Sequence, residues 1–146
     1  MKELEELFIP FKEAKQLKKL GFDMQTFGVY ENNKLANPKV TLRISYTDNP
    51  VIPEEHKDRP AMFKSDNRNS SNPQWLISAP TYQQAFKWFR EKYEHIATSR
   101  FNRRIGYKFE IDLHGGDSSC CTQCYETYEE AELACLKKLI EIIKKK

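Results

Sequence analysis

Pro80-Thr81-Tyr82-Gln83-Gln84-Ala85-Phe86-Lys87-Trp88-Phe89-Arg90-Glu91-Lys92-Tyr93 is the stretch that decides the fold. Its apolar residues Tyr82, Ala85, Phe86, Phe89 and Tyr93, continued by Ile96, recur at helical spacing and share one face. Thr81 is placed to cap this helix, and Gln84 can reach back to the Thr81 amide, the reciprocal arrangement of a capping box. Burying one large side chain contributes roughly 1.5–3 kcal/mol. Four aromatics on one stripe therefore predict the central helix of the core.

Helices are expected on both sides of it. Residues 11–20 predict the first, with Pro10 tolerated at its first turn. Gly21 is free to turn left-handed after it, and Phe22 to fold back on Leu17 as in a Schellman motif. Near the other end, Tyr128, Ala131, Cys135, Leu139 and Ile142 form one stripe, widened by Leu136 and Ile143, behind a second capping box of Thr127 and Glu130. Glu129, Glu130 and Glu132 sit at the positive end of that helix dipole, with Lys137, Lys138 and Lys144 toward the negative end.

Strands fill the intervals. Residues 26–30 have strand composition, and the Asn32-Asn33 pair after them favours a tight turn. Val40, Leu42, Ile44 and Tyr46 alternate with Thr41, Arg43 and Ser45, the pattern of a half-buried strand. Residues 74–77 predict a short strand leading into the central helix. Tyr107, Phe109, Ile111 and Leu113 alternate in the same way, and residues 121–126 make a weaker strand that closes a hairpin. Ala97-Thr98-Ser99 is read as the opening of a polar connection. The expected class is α+β, a small antiparallel sheet of four to five strands packed against three helices in the order α-β-β-(β)-α-β-β-α. At 146 residues the chain suits a single domain, residues 1–146, carrying a long polar insertion over residues 47–73 where four prolines interrupt any pattern.

Composition narrows the function classes. The formal net charge of +3, from 24 basic and 21 acidic residues, forces no acidic partner. Locally, however, seven basic residues against Glu91 and Glu94 lie between Lys87 and Lys108. No segment approaches the run of about 20 apolar residues that spans a bilayer, and Met1-Lys2-Glu3-Leu4-Glu5-Glu6 has acids where a signal peptide has basic residues. The expectation is a cytoplasmic protein with no membrane partner, its four cysteines reduced.

Three segments carry a resemblance: Phe8-Ile9-Pro10-Phe11 running to Leu20-Gly21-Phe22, then residues 85–93, then residues 127–140. In the order and spacing of this helical frame the chain resembles a family of small uncharacterised proteins carried by phages, prophages and other mobile elements of gut Bacteroidales. The resemblance implies an accessory role in a phage or mobile element, inside a bacterial host. It transfers no catalytic residues, because that family has none assigned. The longer middle, residues 36–72, and the cysteine-bearing hairpin depart from its pattern.

Several groups of residues are candidates for a site. Arg100, Arg103, Arg104 and Lys108 interleave with Phe101 and Tyr107, a combination able to neutralise phosphates and stack bases. The alternative for this segment is a solvated connection whose Phe101 and Ile105 plug the core. Tyr30, Arg43, Tyr46, Trp75 and Trp88 are of the types that line a small-ligand pocket, and equally of the types that fill a core. Cys121-Thr122-Gln123-Cys124 has the spacing of two zinc ligands, with Cys120 and His114 as neighbours at no familiar distance in sequence. His56, His95 and His114 read as surface or helix-end histidines. Phosphate-binding, dinucleotide-binding, zinc-hydrolase and serine-hydrolase signatures are absent from the sequence, and no cofactor is implied. The expected function is non-enzymatic binding of a host or phage protein. Nucleic-acid binding through the basic segment is the first alternative, and sequestration of a small ligand such as a nucleotide is the second.

Overall fold

The computed structural model describes residues 5–31, 38–42, 44–45, 62–63, 76–116 and 119–145. Its first helix, α1, runs Phe11–Lys19 from an extended Pro10. It stops as its sequence requires: Gly21 takes φ +86°, the Phe22 N–H donates to the Leu17 carbonyl at 3.0 Å, and the Gly21 N–H donates to the Lys18 carbonyl at 3.1 Å. Those two bonds are the Schellman closure. Strand β1, Gly28–Glu31, then lies between β2, Val40–Leu42, and β5, Leu76–Ala79, both antiparallel to it. The short strands β3, Ile44–Ser45, and β4, Met62–Phe63, pair antiparallel with each other.

The central helix, α2, spans Tyr82–Tyr93. Both halves of its capping box form, with the Gln84 N–H donating to Thr81 Oγ1 at 3.3 Å and the Thr81 N–H to Gln84 Oε1 at 3.0 Å. Substituting Thr81→Ala removes one of these acceptors and is expected to lower the unfolding free energy by about 1 kcal/mol in a urea titration. The helix ends on Glu94, at φ +55°. Ile96, expected on the helix face, therefore begins a strand and is 47% exposed.

That strand is the largest departure from expectation. Residues 96–102 do not open a polar connection but form β6, Ile96–Asn102, paired residue for residue with β7, Gly106–Asp112. Beyond β7 lies β8, Ser119–Cys121, giving a second three-stranded sheet in the order β6-β7-β8. The chain then follows β7 as far as a bridge between Tyr107 and Tyr125. The last helix, α3, covers Tyr128–Lys144 behind its own capping box. Among the described residues the fold is α+β with three helices, and the strands form two three-stranded sheets and a short pair rather than one sheet of four to five strands. Apart from β4, the insertion expected over residues 47–73 lies outside the described residues.

One hydrophobic cluster joins these elements. Ala14 and Leu17 of α1, Ala85, Trp88 and Phe89 of α2, Phe109 and Ile111 of β7, and Cys135, Leu136 and Leu139 of α3 are all buried in it. Residues 5–9 act as an arm, held by a bond from the Ile9 N–H to the Pro80 carbonyl at 3.0 Å and by the Phe8–Thr81 bridge. Among the described residues no helix is long and apolar enough to cross a membrane.

Candidate functional site: the β6–β7 hairpin

The four basic candidates fall on one hairpin. Arg100 and Lys108 face each other across β6 and β7, and both reach Glu110, Arg100 Nε at 3.0 Å and Lys108 Nζ at 3.6 Å. The hydrogen bond from Arg100, with the nearby positive charges, holds the Glu110 carboxyl below its usual range. Arg103 and Arg104 occupy the exposed turn. Neither makes an ion pair among the described residues, although Asn102 Oδ1 accepts the Arg104 N–H at 2.9 Å. Two cations of the four are therefore uncommitted.

The aromatics of the segment do not plug the core. Phe101 is 60% exposed and Ile105 55% exposed. Phe101 leans on Tyr107 with ring centroids 4.6 Å apart, and Tyr107 meets Tyr128 of α3 edge-on at 5.9 Å. The tip is thus anchored to the core through one face of β7 while its apolar ends stay in water.

The backbone of the hairpin is also available. Phe109 turns its N–H and carbonyl toward Thr122, and Tyr107 turns both toward Tyr125. In an antiparallel ladder their partners on β6, Ser99 and Phe101, must then point their own N–H and carbonyl groups away from β7. By the same alternation Ala97 does likewise. Those groups form an open rim, because β6 is the edge of its sheet and among the described residues no second strand pairs with it on the side away from β7.

The other candidates are placed differently. Tyr30 is buried, donates its hydroxyl to the Ile9 carbonyl at 2.7 Å and packs edge-on against Phe11. Burial, with the charges of Glu5 and Glu13, pushes its phenol up to about 12. Trp88 is 2% exposed, donates to Asp23 Oδ1 at 3.0 Å and packs on Phe22 and Phe89. Both belong to the buried core cluster. Arg43, Tyr46, Trp75 and His56 lie outside the described residues.

Cys121 and Cys124 are exposed and Cys120 is half-buried. Between the contacts of Thr122 with Phe109 and of Tyr125 with Tyr107, this chain advances three residues while β7 advances two. The extra residue makes Gln123-Cys124 a bulge-like protrusion. Among the described residues no three His, Cys, Asp or Glu side chains stand together as metal ligands. Burial raises the Cys120 thiol and pushes Cys135 up to about 12, so neither is an activated nucleophile. His114 pairs with Glu94 at the surface, and its N–H donates to Nδ1 of His95 at 3.1 Å. His95, read as a surface or helix-end residue, stands at the helix end but is buried.

Sequence reasoning found the basic side chains of this surface and missed its rim. The chain matches no family model, no curated protein and no solved structure.

Proposed function

We propose that this protein works by binding, and that its binding surface is the β6–β7 hairpin, whose open rim accepts an added strand from a protein partner. One observation carries the reading: a seven-residue strand stands at a sheet edge with a row of outward N–H and carbonyl groups. Such an edge is a template for another chain, and protein sheets ordinarily cover, shorten or charge it. β6 is not short, and its only charged side chain is Arg100. Of the five large hydrophobics exposed among the described residues, Ile96, Phe101 and Ile105 flank this rim, which suits a partner offering apolar and acidic side chains. The resemblance to phage and mobile-element proteins supports a host or phage protein as that partner.

The test uses Ser99→Pro. Proline at Ser99 removes an N–H that points away from β7, so the hairpin ladder survives while strand addition is blocked. A partner captured from bacterial lysate by the parent protein is expected to be lost at least tenfold by this variant, with unfolding free energy changed by about 1 kcal/mol or less. In the isolated complex, hydrogen exchange is expected to slow at the amides of Ala97, Ser99 and Phe101. A complex in which those amides exchange as fast as in the free protein contradicts strand addition.

Nucleic-acid binding is the second reading, favoured by uncommitted Arg103 and Arg104 beside exposed Phe101. It predicts affinity for single strands that falls steeply with salt and is lost when Arg100, Arg103, Arg104 and Lys108 are all changed to Glu.

A further inference from the structure

A cleft of about 460 Å³ opens between the N-terminal arm and the first turns of α2 and α3. Leu7, Tyr82 and Tyr128 give it apolar walls, and Glu6, Glu129 and Glu132 bring carboxylates to it, with no lysine or arginine in its lining. None of these residues belongs to the β6–β7 hairpin, so the cleft stands apart from the surface described above.

Two of its side chains are more deeply placed than polar groups usually are. Tyr82 is 8% exposed, and its hydroxyl has no hydrogen-bond partner among the described residues. Tyr82 lines the cleft, so its hydroxyl is left to pair with what enters there. Glu132 is also 8% exposed and takes a hydrogen bond from Tyr128. Its burial raises the carboxyl, and burial of Tyr82, followed by the charges of Glu132 and Glu13, makes the Tyr82 phenol harder to ionise. Anionic ligands are disfavoured here despite the two helix N-termini, because three carboxylates outweigh two half-unit dipole charges that the capping boxes already engage.

We infer that this cleft is a binding site for an alkylammonium group, its methylenes against Tyr82, Tyr128 and Leu7 and its charge paired with Glu132, while Glu129 and Glu6 make the opening acidic without converging on the same point. An ammonium has three N–H donors and no acceptor. The acceptors available are the idle Tyr82 oxygen and the Glu132 carboxylate, an arrangement that matches those donors. The aromatic faces add attraction for the cation. A metal ion is a poorer match, since no three ligating side chains converge among the described residues.

A lysine side chain of another protein and a free polyamine offer the same chemistry. The probes are therefore a short end-capped glycine peptide carrying one central lysine, the same peptide acetylated at Nε, and spermidine. In NMR titrations of the intact protein, the ring signals of Tyr82 and Tyr128 are expected to move with the lysyl peptide or spermidine and to stay with the acetylated peptide. Glu132→Gln is expected to weaken the binding by about tenfold, the worth of a hydrogen bond to a charged group. Tyr82→Phe is expected to weaken it several-fold without lowering thermal stability, since it removes no hydrogen bond within the described residues and keeps the ring. Should Glu132→Gln fail to fold, Glu129→Gln at the exposed rim gives the same reading. Tighter binding of the peptide assigns the site to a protein side chain, and tighter binding of spermidine assigns it to a polyamine. Unmoved ring signals at saturating amine, equal response to the acetylated peptide, or unchanged affinity in folded glutamine variants overturns the inference.

Discussion

Replacing Phe89 by alanine is expected to lower the unfolding free energy by about 3–5 kcal/mol. The ring is completely buried and touches Trp88 and Tyr93 at centroid distances of 5.1 and 6.1 Å. Its removal takes away the transfer free energy of the side chain and leaves a cavity walled by other aromatics, which cannot collapse without leaving their own rotamers. Domains of this size have roughly 5–15 kcal/mol in all, so the variant should be folded only marginally. Urea titration with the parent slope retained is the appropriate measurement. A loss under about 1.5 kcal/mol, typical of sites that repack, would move the centre of the core away from α2.

The helical frame was legible because each helix carries its own punctuation. Thr81 with Gln84, Thr127 with Glu130 and Gly21 with Phe22 are local chemistry, and each does in the structure what its spacing predicts. Trp88 lies beside that stripe, three residues after Ala85, and the stripe alone does not tell a core tryptophan from a pocket one; in the structure it is buried with its indole N–H on Asp23. The end of α2 was not legible. Its left-handed residue is Glu94 rather than glycine, so nothing in the sequence marks the stop, and Ile96 continued the helical period by coincidence.

β6 was missed for a physical reason. Alternation is visible only when one face of a strand is buried, and every residue of β6 except Ala97 is exposed. An edge strand with two wet faces looks like a polar connection. The division of the strands into two sheets was equally hidden, because pairing joins β1 to β5 across a long interval of chain. The same absence of pattern that hid β6 makes it a candidate surface: a strand that the core does not use shows no core periodicity. The cleft at the start of α2 and α3 was invisible for another reason. Tyr82 and Tyr128 were correctly placed on the buried stripes, and only the packing of the arm against them brings Glu6, Glu129 and Glu132 to one opening.

Gly106→Ala is expected to separate the hairpin from the rest of the fold. Gly106 sits at φ +86°, and a Cβ built there would stand 2.2 Å from the carbonyl oxygen of Tyr125. That oxygen is a backbone atom, and it accepts the Tyr107 N–H at 2.8 Å while the Tyr125 N–H returns a bond of 2.8 Å to Tyr107. The alanine therefore meets two costs at once, about 1 kcal/mol for a side chain at positive φ and the displacement of a bridge of two hydrogen bonds worth roughly 1 kcal/mol each. Gly115→Ala meets only the first, because its φ is +102° but nothing lies within 4 Å of its Cβ. Comparison of the two variants isolates the bridge. The expected results are a loss of about 1 kcal/mol for Gly115→Ala and about 3 kcal/mol for Gly106→Ala, with fast amide exchange at Tyr107 and Tyr125 in the second alone. The Tyr107–Tyr125 bridge ties the tip end of the hairpin to the segment entering α3, so breaking it should reorient the rim of β6 while leaving α1 and α2 packed. Partner binding should then be lost in Gly106→Ala and kept in Gly115→Ala. Equal binding by both variants, with the bridge shown to be open, would place the working surface of this protein elsewhere than on β6.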